Sequence, residues 1–240
     1  MSARHGASCF IAGTDTGVGK TRVTMGLLRA LKLQGVRAAG MKPVAAGTSG
    51  ARNEDVDALI AHSCTGPSPQ DVNPYCFPDP ISPHIAARRA GISIDPAVIV
   101  AAYERITLHC DVVLVEGTGG WLTPIGANST MAEVAHALAL PVVLVVGMRL
   151  GCLNHALLSA QAILQRGLQL AGWVGSMIDP AMLALDENRA TLIARIPAPE
   201  LGWLPHVQDD RDDPAHLCGA AHALLQGNDP GPSVGTEHGA

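Results

Sequence analysis

The chain has 240 residues, 48 % apolar and 15 % charged, with 16 basic against 21 acidic side chains and a formal net charge of -5. That balance excludes a disordered chain, which lacks the apolar surface to offset its ordering entropy, and a nucleic-acid binder relying on a basic face. Only Lys20, Lys32 and Lys42 are lysines among the 16 Lys and Arg, so each marks a candidate place where a compact ammonium is wanted rather than a planar guanidinium.

The first strand is expected over Cys9–Ala12, a short apolar run that leads into Gly13-Thr-Asp-Thr-Gly-Val-Gly-Lys20-Thr21 and then a helix over Lys20–Gln34. Backbone N–H groups in such a loop converge on phosphate oxygens, and the helix N-terminus adds positive potential. Lys20 is placed to reach the β- and γ-phosphates and the Thr21 hydroxyl to ligate Mg²⁺. The loop departs from strict G-x-x-x-x-G-K-[ST], since Thr14 stands where that pattern has glycine.

The second strand spans Val36–Met41 and closes on Lys42-Pro43-Val44. On position alone Lys42 fits a solvent-facing strand end as well as a site residue. If the second strand adjoins the first, Lys20 and Lys42 bracket one transferring phosphoryl group, with no base or nucleophile needed from the protein. A short helix over Asp55–Ala61 brings Asp57 near its start, where acidic residues are common for dipole reasons. Cys64 to Pro83, rich in proline and small residues, reads as a long ordered surface connection.

A helix over Pro96–His109 precedes the strand Val112–Val115, which ends on Glu116 and Gly117-Thr118-Gly119-Gly120. A carboxylate there suits Mg²⁺ ligation in a phosphoryl-transfer site, or simply a turn. Next come a helix over Met131–Leu138 with a Thr130-x-x-Glu133 capping box, a strand over Val142–Val146 and a helix over Asn154–Arg166. A strand over Ala171–Val174, a helix over Glu187–Ala194 and a weaker strand over Leu201–Leu204 complete the series. His136 reads as a core or interface histidine, and Cys152 as helix-end packing rather than a metal ligand with His155.

Strands that are continuously apolar, alternating with amphipathic helices, predict an α/β fold: a P-loop NTPase-type, doubly wound, mostly parallel sheet with helices on both faces. Residues 1–227 are expected to form one domain and 228–240 a frayed tail. Six cysteines with no C-x-x-C pair suit a reducing, cytoplasmic setting. The uncharged stretches Val134–Met148 and Leu150–Gln165 fall short of a membrane span.

Taken in order, Gly13–Thr21, Lys42-Pro-Val-Ala45, Asn73-Pro-Tyr75, Ser82-Pro-His84, Leu114-Val-Glu-Gly117 and Gly151-Cys-Leu-Asn-His155 resemble the dethiobiotin synthetase family from about residue 8 to residue 207. The resemblance implies a homodimeric, Mg²⁺- and ATP-dependent cyclo-ligase of biotin biosynthesis acting on 7,8-diaminononanoate and CO₂ or bicarbonate. It places Thr16, Lys20 and Lys42 at the reacting end. Thr21, Asp57 and Glu116 would hold Mg²⁺, and Gly17, Val18, Gly19, Lys20, Thr21, Arg22, Glu116, Gly117, Thr118 and Gly119 the nucleotide phosphates. Ser176, Pro205, His206, Val207 and Asp212 would form the base pocket. Thr16, Lys42, Ala46, Thr48 and the segment Gly151, Cys152, Leu153, Asn154 would bind substrate, the last four at its carboxylate end across the dimer.

Four positions depart from that family's pattern. Gly17 replaces an acidic residue of some relatives, Ala46 a substrate-binding Ser, Ser176 an adenine-reading Asn, and Arg149 a familiar Lys. Two readings compete. A nucleotide-switch ATPase of the partitioning or metal-insertion type usually carries an extra lysine where this chain has Thr14 and Asp15. An amide-forming synthetase would need an attached glutaminase, for which the chain has no room.

Overall fold

A computed structural model of the chain describes residues 7–48, 53–206 and 215–227. Val207, Asp212 and the expected tail lie outside the described residues.

The apolar runs form six strands: β1 (Cys9–Gly13), β2 (Ala38–Met41), β5 (Val112–Glu116), β6 (Val142–Met148), β7 (Leu170–Met177) and β8 (Glu200–Leu204). They pair only in parallel, in the order β2-β5-β1-β6-β7-β8. A parallel sheet sandwiched by helices has no wet face, which is why β1, β2, β5 and β6 are buried along their whole length. Alternate residues still point to opposite cores. Phe10, Ala12, Val113 and Val115 face the core covered by α4 (Pro83–Ala90), α5 (Pro96–Thr107), α6 (Met131–Leu138), α7 (Cys152–Gln165) and α8 (Leu185–Arg195). Cys9, Ile11, Val112 and Leu114 face the core under α1 (Lys20–Leu33), α2 (Glu54–His62) and α9 (Ala215–Gln226).

The strand order corrects one expectation. β5 lies between β1 and β2, so the strands that deliver Lys20 and Lys42 are not neighbours. Glu116, at the end of β5, is set between them.

The 64–83 stretch is more than a connection. It holds α3 (Pro69–Val72) and β4 (Tyr75–Phe77), and β4 pairs in parallel with β3 (Val44–Ala46) as a separate two-stranded ribbon. Three-residue strands are too short to show a period. Their purpose is local. Lys42 N–H donates to the Val72 carbonyl at 2.9 Å, and the Asn73 amide donates to the Lys42 and Tyr75 carbonyls at 2.6 and 3.1 Å. The Asn-Pro-Tyr motif thus fixes the backbone that presents Lys42.

The start of α6 follows its sequence signal. Thr130 accepts the Ala132 N–H while Glu133 returns to the Thr130 N–H, the expected capping box. α4, which no expected helix covers, begins Ser82-Pro83 with proline in its first turn. His136 is exposed among the described residues rather than in a core, and Lys32 is exposed in the last turn of α1, so it is not one of the candidate site lysines.

Candidate active site

The loop between β1 and α1 sits over the carboxyl ends of β1, β5 and β6. Two bonds tie it down: Thr14 N–H donates to the Val145 carbonyl at 3.0 Å, and Gly147 N–H to Thr14 Oγ1 at 3.3 Å. Thr14 therefore docks the loop on β6, and glycine could make the first of these bonds but not the second. Gly19, the N-cap of α1, has φ 90°, and a Cβ there would come within 2.6 Å of Ser176 Oγ. Both the left-handed backbone and the close approach require glycine.

A cavity of about 340 Å³ opens beneath this loop. Of the expected residues, Thr16, Gly17, Gly19, Lys20, Thr21, Arg22, Lys42, Ala46, Glu116, Thr118 and Gly119 line it. Val18 and Gly117 shape the wall from behind: Val18 is 1 % exposed, and Gly117 leaves too little room for a Cβ against Phe10. Thr48 lines an adjoining hollow with Asn53 and Asp55. Gly151, Cys152, Leu153 and Asn154 form the start of α7 and do not line the cavity. Cys152 is 1 % exposed, a packing residue.

At the centre, Lys42 is held between two carboxylates. Its ammonium lies 3.0 Å from Glu116 Oε1 and also donates to Asp55 Oδ2. Thr21 Oγ1 donates to the same Glu116 oxygen at 2.8 Å. Lys42 is 6 % and Glu116 0 % exposed, so the solvent-facing strand end is excluded. The acidic partner supplied by α2 is Asp55; Asp57 is exposed and does not line the cavity. The sequence signal was the cap. Asn53 is the N-cap of α2 and its side chain accepts the Asp55 N–H, so the helix starts one residue earlier than its pattern suggested.

The base-pocket expectations fare unevenly. Ser176 is fully buried behind Gly19 with its hydroxyl unpartnered; it offers no exposed edge to a base. The Pro205 carbonyl accepts Arg22 Nη2 at 3.1 Å, tying the end of β8 to α1, and His206 is exposed.

The two lysines differ electrostatically. Burial pushes Lys20 down to about 8, opposed by the nearby Glu116 and reinforced by the Lys42 charge. Burial acts on Lys42 in the same sense, but Glu116 and Asp55 outweigh it and hold that ammonium above the ordinary lysine value. Lys42 thus stays charged while Lys20 is the one to lose its proton first. Affinity for ADP without metal is expected to fall as pH rises through about 8. Above that pH, binding should take up one proton, seen as a heat that varies with buffer ionisation in calorimetry; a buffer-independent heat would contradict it. The stability sign follows. The folded chain binds fewer protons than the unfolded chain between about 8 and 10.5, so Lys20's contribution becomes more favourable with rising pH across that window.

The donor set fits Mg²⁺. Glu116 Oε2 is buried without a hydrogen-bond partner, beside a hydroxyl and a second carboxylate, all hard oxygen donors. Among the described residues no three His, Cys, Asp or Glu side chains form a metal cluster.

Comparisons with known proteins agree with this geometry. A family profile described as an AAA domain matches residues 7–212. The ATP-dependent dethiobiotin synthetase BioD of Aromatoleum aromaticum is 51 % identical, covering 87 % of this chain and 94 % of that one. The Pseudomonas aeruginosa protein of the same name is 48 % identical (83 % and 90 % covered), and that of Xylella fastidiosa 46 % (89 % and 96 %). Among solved structures, the MinD cell division protein of Aquifex aeolicus superposes with a TM-score of 0.56 at 16 % identity, covering 91 % of this chain and 97 % of that one. A ParA family ATPase from Chlorobium tepidum gives 0.51 at 13 % identity, with 92 % and 96 % covered. These last two likenesses speak for the α/β P-loop fold alone. With its motifs in one cavity and relatives near half-identical over almost their full length, the chain belongs to the ATP-dependent dethiobiotin synthetase family.

Proposed function

We propose that the chain is an ATP-dependent ligase that closes a cyclic urea, making dethiobiotin from 7,8-diaminononanoate and CO₂ in biotin biosynthesis. The observation that carries this reading is the Lys42 ammonium, buried between Glu116 and Asp55 at the mouth of the phosphate cavity. A nucleotide switch of the partitioning type is expected to carry its extra lysine in the loop itself, where this chain has Thr14 and Asp15; here the second ammonium comes from the end of β2 instead. A phosphoryl transfer to a carbamate has a use for it there, because charge accumulates on both reactants.

In the proposed sequence one substrate amine adds to CO₂ and loses a proton, giving a carbamate. A carbamate oxygen attacks the γ-phosphorus, the bond to ADP breaks, and a carbamic-phosphoric anhydride forms. The second amine attacks its carbonyl carbon, phosphate departs, and a five-membered ring closes. Lys20 and the loop amides hold the phosphates, Lys42 neutralises the carbamate and the transferring group, and Thr16 borders the reacting end. Thr21, Glu116 and Asp55, in place of Asp57, would hold Mg²⁺, which shields phosphate charge when bound. No side chain need act as nucleophile; orientation and charge stabilisation suffice.

The first turn of α7 has Gly151 at φ 96° as its N-cap; the Cys152 N–H is taken by the Arg149 carbonyl, and the N–H groups of Leu153 and Asn154 are the ones suited to the substrate carboxylate. These residues do not line the phosphate cavity, which supports the proposal that a second copy completes the site. Leu122 and Leu158, each 57 % exposed, share a hollow with His155 of α7, and such apolar surface fits burial against a partner. Among the described residues no helix is long and apolar enough to cross a membrane.

The test combines purified protein with Mg²⁺, ATP, bicarbonate and the diamine, following phosphate release and cyclic urea by mass spectrometry. Phosphate release is expected to depend on the diamine; release indifferent to it would sink the ligase reading.

A further inference from the structure

Asp15 is chemically out of place. It lies within a loop built to receive polyphosphate, yet carries charge of the ligand's own sign. It also occupies donors that a phosphate would use. Its Oδ1 accepts the Thr16 N–H at 2.7 Å, and its carbonyl accepts Lys20 Nζ at 2.8 Å. Asp15 therefore competes with the incoming anion for a loop amide and for the loop lysine.

The remaining oxygen, Oδ2, is bound by Arg149 Nη2 at 2.7 Å. Arg149 follows β6, and its carbonyl accepts the Cys152 N–H at 3.0 Å where α7 begins. Arg149 does not line the phosphate cavity. The two side chains are 43 and 47 % exposed, so their pairing contributes little to folding stability. Asp15 lines the neighbouring hollow with Thr14, Trp121 and His155 rather than the phosphate cavity itself. The consequence of the pairing is local charge, since without Arg149 the Asp15 carboxylate would stand uncompensated beside the loop that receives the polyphosphate.

We propose that Arg149 is a positioning residue for nucleotide binding: paired with Asp15 Oδ2, it neutralises that carboxylate and draws it aside as phosphate oxygens take the Thr16 N–H and Lys20 Nζ. The inference rests on reading the loop as a nucleotide polyphosphate site, not on the identity of the second substrate. Only one N–H of the guanidinium is used on Asp15, so a lysine ammonium could make the same contact.

The test is a mutant cycle read by calorimetric titration with ADP, alongside thermal unfolding. Arg149→Ala is expected to weaken ADP binding about three- to tenfold, the scale of one uncompensated charge at a partly exposed site. Adding Asp15→Asn to that variant should restore affinity to within about twofold of the parent, because the offending charge is gone. Arg149→Lys should bind like the parent. If Arg149→Ala fails to fold, Arg149→Gln takes its place in the cycle. Unchanged ADP affinity in the neutral variant would overturn the proposal. So would a double variant as weak as the single one, which would make Arg149 a packing residue. ADP binding needs no diamine, so the outcomes separate. A chain that obeys the cycle but makes no cyclic urea refutes the reaction, and one that makes the urea with Arg149→Ala binding ADP normally refutes this inference.

Discussion

Lys42→Arg is expected to lower kcat by about 10²- to 10³-fold, the cost of losing one aligned charge at a phosphoryl-transfer centre, in a protein that still folds. The ammonium is a point charge that reaches Glu116 Oε1 at 3.0 Å and Asp55 from the end of β2, with only 6 % of the residue exposed. A guanidinium keeps the charge but is planar and broader, with its donors spread over a fork. It can satisfy the two carboxylates only by moving the cation off the line between carbamate and γ-phosphate. Arginine is the sharper substitution because it separates geometry from charge. Lys42→Met would also leave Glu116 buried without its cation, a loss of about 3–5 kcal/mol in folding stability. Steady-state kinetics with a thermal melt of each variant would check both statements. Near-normal turnover in Lys42→Arg would mean that any cation at the strand end serves. Lys20→Arg makes a useful companion, for in a chain with three lysines among 16 basic residues these are the two positions where arginine has not been used beside the phosphates.

How much of this was legible in the sequence depends on where each signal lives. The sheet was legible because a strand buried on both faces must be apolar throughout: Val112–Glu116 and Val142–Met148 match their expected runs to within two residues. The loop was legible because phosphate binding constrains Gly19, Lys20 and Thr21 at fixed spacing. Strand order was not. Nothing in the local composition of β5 says that it inserts between β1 and β2, and that insertion is what places Glu116 between the two lysines. The ribbon of β3 and β4 escaped for a different reason, since three residues carry no period and proline-rich flanks read as loop. The choice of Asp57 over Asp55 failed by a helix start. Both carboxylates lie in the first turn of α2, and only the Asn53 cap decides which is turned towards the cavity. Ser176 looked like a base reader from its place in the chain, but the close approach of Gly19 buries it.

The last expectation concerns the metal and distinguishes the two aspartates. Glu116 Oε1 already accepts from Thr21 and Lys42, at 2.8 and 3.0 Å, while its Oε2 is buried with no partner. Such an orphan costs about 1–3 kcal/mol when nothing takes it, so its retention at the floor of the phosphate cavity argues for a cation as its partner. Glu116→Gln is expected to abolish the Mg²⁺ dependence of ADP affinity and to lower kcat at least about 100-fold. ADP binding without metal should stay within about threefold of the parent, since the amide oxygen can still accept from Thr21 and Lys42. Asp55→Asn should lose Mg²⁺ dependence in part and lower kcat about tenfold or more, because it removes one charge from both the ion and Lys42. Asp57→Asn, on the exposed side of α2, should remain within about twofold of the parent in both readouts, as surface substitutions usually do. A Mg²⁺ titration at fixed ADP checks all three. If Asp57→Asn proves as damaging as Asp55→Asn, α2 must turn about its axis when nucleotide binds. If Glu116→Gln leaves the Mg²⁺ dependence intact, the buried oxygen is not a metal ligand, and the tie from Glu116 to Lys42 becomes its whole contribution to the site.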